Sequence, residues 1–184
     1  MNYTKDQLEQ LGITKYRITD GNKITVFQDV DWSKQGLTKI PIKLEKVCGS
    51  MNLNDNELED LENSPRIVTG AFAVVRNKLT TLKGAPENVG SFYISGNPML
   101  KSIEYAPICK MIKHEETGID PDDIELYKYI KNYFIWQQDI SLNENIKDLL
   151  LYAPQSNPVV RSLSAVKKFE EIRGIRLGLD NGIL

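Results

Sequence analysis

The chain is poor in the residues on which most catalytic and metal sites are built. Its 184 residues include one histidine, His114, and two cysteines, Cys48 and Cys109. No His-based metal set or Ser-His-Asp constellation is recognisable around a single imidazole. The cysteines stand 61 positions apart with no CxxC pair or Cys/His cluster, which argues against a disulfide framework and a zinc site. Long apolar runs are missing as well. Stretches such as Leu149–Ala153 fall far below the roughly 18 residues a membrane helix needs. Charge of one sign is lacking, with 23 Lys+Arg against 25 Asp+Glu. The whole molecule therefore exerts no strong pull on DNA or membrane. Met1 to Asp6 offers no apolar leader, so a soluble protein of a reducing compartment, the cytoplasm, is expected.

What the chain does have is a repeat. Hydrophobic residues make up 41% of it, enough for a core, and through the middle they recur in register. Asn56, Asn77 and Asn97 follow at 21 and 20 positions, and Gly49, Gly70 and Gly90 do the same. Leu58, Leu79 and Leu100 recur at 21 and 21, as do Leu61, Leu82 and Ile103, and Pro65, Pro86 and Pro107. Two alternating apolar residues precede each Asn: Met51 and Leu53, Phe72 and Val74, Phe92 and Ile94. One unit earlier the frame runs through Val30, Trp32, Leu37 and Ile40, with Gln35 at the Asn position. Several position classes in register over four units mark a solenoid.

The spacing also predicts local structure. Apolar residues two apart place both side chains on one face of a short strand. The Asn falls where the strand ends, and its amide can bond backbone groups left unpaired at the turn. The leucines two and five positions later return inward, Pro starts an extended segment, and Gly permits a tight corner. Each unit becomes one coil of a right-handed solenoid, stacked in parallel on its neighbour because one coil cannot bury its apolar face alone.

The pattern apolar-x-apolar-x-x-Asn-x-Leu-x-x-Leu-x-x-x-Pro resembles a leucine-rich repeat of the short, Pro-containing bacterial type. From Tyr16 to Pro107 the chain resembles small leucine-rich-repeat proteins often encoded by bacteriophages and some bacteria. The segments Tyr16 to Asn22, Gly36 to Pro41, Asn77 to Pro86 and Val89 to Tyr93 carry that likeness. The first unit departs by Gln35 and an early Pro41, and Pro98 adds a residue between Asn97 and Leu100, so the last coil is expected to be irregular.

Caps are expected at both ends of such a stack. Thr4 with Gln7 makes a capping box, and Gly12 stops a short helix containing Leu8 and Leu11. Ile13–Ile18 and Lys23–Val30 read as strands of a hairpin joined at Asp20, Gly21 and Asn22. After Pro107 the period turns helical: a helix over Ile108–Thr117, a second opened by Asp120 and Pro121 and running to about Asp139, a third from Ser141 and a fourth from Asn157. The expected fold is thus α+β. A cap over residues 1–25 precedes a solenoid of about four coils with a parallel sheet over 26–107, and an all-helical subdomain covers 108–184.

No enzyme motif emerges, and neither cofactor nor metal is expected. The acidic cluster Asp120, Asp122 and Asp123 lacks the spacing and terminal Glu of a calcium loop and reads as a helix cap. The basic set Arg161, Lys167, Lys168, Arg173 and Arg176 is interrupted by Glu170 and Glu171, so nucleic acid is not expected as a partner. Two surfaces remain. In a leucine-rich repeat, strand positions between the inward residues line the exposed side of the sheet. Asp31, Ser33, Asn52, Asn54, Val75, Tyr93 and Ser95 are there the partner-binding candidates, although small polar residues would equally solvate an open sheet. The second surface is the aromatic set Tyr129, Tyr133 and Trp136 on the expected second helix, which either packs on a neighbouring helix or binds a partner. The resemblance implies a non-catalytic protein-binding module, and its phage members point to a host partner, a defence or toxin component that this chain inhibits. The alternative is a structural protein that self-associates, such as a virion component.

Overall fold

Apolar positions that recur every 20 or 21 residues can be buried together only if successive units stack. In the computed structural model, which describes residues 3–128 apart from Asp20, Ile108 and Leu126, they do. The fold is mostly β, a parallel-sheet solenoid of about four turns. Its strands are β1 (Tyr16–Thr19), β2 (Lys23–Val26), β3 (Val30–Asp31), β4 (Lys46–Val47), β5 (Met51–Asn52), β6 (Ile67–Ala73), β7 (Asn88–Tyr93) and β8 (Met111–Lys113). β2, β4, β6 and β7 stack in parallel in one row, and β3, β5, β6, β7 and β8 in the next. The coils before β8 thus contribute two short strand pieces each, fused into one in β6 and β7.

The repeated apolar residues form the core. Met51, Leu53, Phe72, Val74, Phe92 and Ile94 are fully buried, as are Leu58, Leu79 and Leu100 from the return segments. Phe72 and Phe92 stack with ring centroids 5.9 Å apart. Each such side chain contributes roughly 1.5–3 kcal/mol by leaving water.

Buried Asn56, Asn77 and Asn97 tie each coil to the one before it. Asn77 Oδ1 accepts the Leu58 amide at 3.1 Å, and its Nδ2 donates to the Leu53 carbonyl at 3.0 Å. Asn97 does the same for the Leu79 amide and the Val74 carbonyl, and Asn56 for the Gln35 and Leu37 amides and the Trp32 carbonyl. Gln35 itself is exposed; the first coil makes no such backward bridge and can do without a buried Asn. The residue before each Asn position turns the chain through a left-handed φ: Lys34, Asp55, Arg76 and Gly96, and then Glu116 one unit further.

Gly49, Gly70 and Gly90 serve a different purpose from the corner expected of them. None has a left-handed φ; an added Cβ would instead lie 2.8 Å from the Gln28 carbonyl, 2.9 Å from Gly49 backbone and 2.7 Å from the Thr69 carbonyl, respectively. They are where neighbouring coils approach too closely for a side chain. The register slips there between β6 and β7, between Val68 and Ala71. The unit that loses a residue at this bulge regains one at Pro98, so Leu100 still reaches the core.

The N-terminal end follows the expectation closely. α1 (Lys5–Gln10) carries the Thr4/Gln7 capping box, and β1 pairs antiparallel with β2. The strands are shorter than expected, because Gln28 breaks the second. Its Oε1 accepts the Thr14 and Lys15 amides, and its Nε2 donates to the Gly12 carbonyl at 2.8 Å. Trp32, buried in the first coil, donates from Nε1 to the Leu11 carbonyl at 2.8 Å. Since β2 stacks on β4, the second strand of the hairpin is also the first rung of the sheet.

At the other end the expectation fails. Residues 109–117 do not form a helix: Met111–Lys113 is a strand, parallel to β7, with Ile112 opposite Phe92. The chain there continues the repeat. Lys110 N donates to the Gly90 carbonyl as Gly70 N does to that of Gly49. Thr117 stands in for Asn, its hydroxyl donating to the His114 carbonyl at 2.7 Å as Asn97 Nδ2 does to that of Ile94. Ile119 is buried at the Leu position. Pairing with the edge of β7 outweighs the helical spacing of this short segment. An all-helical region from residue 108 is therefore wrong at its start. Residues Met1–Ile119 make one compact unit and Asp120 opens another. In that second unit a short helix begins at Pro121, where Asp120 Oδ1 accepts the Asp122 amide at 2.9 Å. The rest of the expected second helix and the third and fourth lie outside the described residues.

Candidate functional site: the open face of the sheet

Alternation along each strand sends one set of side chains into the core and the other to the opposite face. Parallel register then aligns the outward set into columns. The central column runs Asp31, Asn52, Ala73, Tyr93 and Lys113, each opposite the next. On one side Ala71, Ser91 and Met111 are aligned. They continue Ser50, whose Oγ accepts the Ala71 amide at 3.2 Å, and Asp29, whose Oδ1 accepts the Ser50 amide at 2.7 Å. On the other side Asn54 Oδ1 accepts the Val75 amide at 2.7 Å, and the Ser95 hydroxyl donates to Glu115.

All seven sheet candidates, Asp31, Ser33, Asn52, Asn54, Val75, Tyr93 and Ser95, come together on this face. Tyr129, Tyr133 and Trp136 lie outside the described residues. Sequence reading missed the last rung, Met111, Lys113 and Glu115. Counting 20 positions from Ser91, Tyr93 and Ser95 would have found it.

The face is ordered by its own hydrogen bonds. The Ser33 amide, then its hydroxyl and the Asn52 side chain, donate to Asp31 and hold its carboxyl below the ordinary value. The Ser95 hydroxyl does the same for Glu115. Lys113 Nζ lies 5.7 Å from the centre of the Tyr93 ring, within reach of a cation–π contact. The middle rung, Ala71, Ala73 and Val75, is small, apolar and half-buried.

Among the described residues no group of three or more His, Cys, Asp or Glu could hold a metal ion, and no helix is long and apolar enough to cross a membrane. Cys48 is half-buried and Cys109 buried, and neither is in a disulfide. His114 is half-buried in the turn after β8 rather than on a helix surface. Fold and face together define a parallel β-solenoid with one side of its sheet open and pre-arranged. No protein-family model matches this chain, nor does any curated protein or solved structure.

Proposed function

We propose that this chain is a non-catalytic protein-binding module of the short leucine-rich-repeat type, and that it docks through the open face of its sheet. The observation that carries this reading is the registered face itself. The seven candidates expected from the repeat pattern and its resemblance lie on one surface, and Tyr93, a residue type enriched at interface hot spots, stands near its centre. Such a surface is already ordered by backbone pairing and by the Asn bridges, so docking costs little further entropy, and a modest area can bind usefully. The resemblance to phage-encoded repeat proteins suggests the target, a bacterial host component of a defence or toxin system that the chain masks.

Affinity capture from bacterial lysate, with wild type beside Tyr93→Ala and Asn52→Arg, tests the reading. One dominant protein retained by wild type and lost with both variants is the expected result. Full capture by both would remove the sheet face from consideration. A second reading, a structural protein growing by edge contacts, draws on β8, which among the described strands pairs only with β7. It requires open-ended growth with concentration.

A further inference from the structure

The central column reads the same in reverse when charges are matched to opposites. Its ends are Asp31 and Lys113, its next pair is Asn52 and Tyr93, and its centre is Ala73. A second copy turned face to face about a two-fold axis parallel to the strands and passing over Ala73 sets Asp31 against Lys113 of the other chain at both ends. Asn52 then faces Tyr93, and the small apolar rung meets itself at the middle. The other face-to-face two-fold, along the stack, places Asp31 over Asp31 and Lys113 over Lys113 and is opposed by like charge.

From this we infer that the open face pairs isologously with a second copy of the chain in the first of these orientations, so that the partner surface is covered by the protein itself when no target is bound. The inference rests on the reading of this face as the binding surface. Five rungs about 4.8 Å apart, each with about 17 Å of strand, make a patch of roughly 400 Å² per copy. That is small beside the roughly 800 Å² per partner of a stable complex, so the dimer is weak and a target can displace it.

The test is sedimentation velocity on the full chain over about 1 µM to 1 mM, with circular dichroism and thermal melts to verify folding. The wild type should form dimers and nothing larger. Asp31→Lys and Lys113→Asp should each weaken self-association at least about tenfold, and an equimolar mixture of the two should restore it, because positions 31 and 113 of the two chains then again face each other with opposite sign. Ala73→Arg, at the axis, should abolish it whether or not the charge variants fold. A wild type that stays monomeric at the top concentration overturns the proposal, as does a dimer that tolerates Ala73→Arg or single variants that the mixture fails to rescue. If the protein is monomeric and yet Tyr93→Ala loses a captured target, only the second copy is ruled out and the binding face stands.

Discussion

Removing the Asn77 amide should cost far more than its size suggests. In Asn77→Ala the Leu58 N–H and the Leu53 carbonyl both lose a partner, at 3.1 and 3.0 Å, in a buried setting. The coils on either side fix both groups, through Leu79 and Leu82 below the turn and Val74 within the strand, so neither can swing to water. The Leu53 carbonyl keeps the Asn56 Nδ2 donor at 3.0 Å, so the group left bare is the Leu58 N–H, at a cost of about 1–3 kcal/mol. That is an appreciable part of the ~5–15 kcal/mol of an ordinary domain. The third acceptor, the Val75 carbonyl, is only part-buried at 3.4 Å and adds little. Urea unfolding followed by far-ultraviolet circular dichroism would measure the loss. Asn77→Asp should be as harmful at neutral pH, because it keeps the acceptor for Leu58 while setting a second oxygen against the Leu53 carbonyl. If Asn77→Ala costs no more than the adjacent, exposed Lys78→Ala, the bridges are ornamental and the account of inter-coil stability is wrong.

Three further outcomes are expected. Leu79→Ala in the same coil should cost about 2–5 kcal/mol while Lys78→Ala stays within about 0.5 kcal/mol; equal losses in the same urea titration would refute the inward register. Gly70→Ala should destabilise by about 1–3 kcal/mol, because its Cβ would meet Gly49 backbone at 2.9 Å; a neutral thermal melt would show that the coils can part there. Glu45 and Asp55 are held below their ordinary 4.5 and 3.8 by the hydrogen bonds from Arg66 and Arg76. Depressed carboxylates favour the fold above those values and lose that contribution as pH falls through the lower folded ones. The urea midpoint should therefore drop below about pH 4.5, and less so in Arg66→Gln/Arg76→Gln; identical acid sensitivity of the double variant would sink the assignment.

The middle of the fold was legible because its residues are chemically selective. A buried turn needs Asn, a core position needs Leu or Phe, and a backbone contact needs Gly, so the columns repeat visibly. The last rung was hidden because it substitutes at nearly every marked position: Lys110 for Gly, His114 for Ile, Thr117 for Asn. Only Ile112 and Ile119 keep the frame, and at that density a helical spacing fits as well. Gln28 escaped notice because nothing in its neighbours announces that one side chain closes the cap. The solvent face was readable as positions but not as partners: the cation–π contact of Lys113 with Tyr93 follows only once the extra rung is in place. The glycines were found for the wrong physical reason, since inter-coil distance, unlike a turn type, leaves no local signature.

The ion pairs run along the stack. Glu45 bonds Arg66, which also reaches Glu87; Asp55 bonds Arg76, Glu57 bonds Lys78, and Glu62 bonds Lys83, each 21 residues apart. Residues 66–86 carry Arg66, Arg76, Lys78 and Lys83 and no acid, whereas 45–65 carry six acids and the single base Lys46. Exposed pairs of this kind add little to stability, but they forbid an arrangement. Copying either unit in place would lay like charges over one another about 4.8 Å apart in every column. A chain that lengthens by tandem duplication must therefore change the sign of the new unit before the stack can close over it, and deleting one unit would bring Glu45 beside Glu87. The coils share a shape but cannot exchange places.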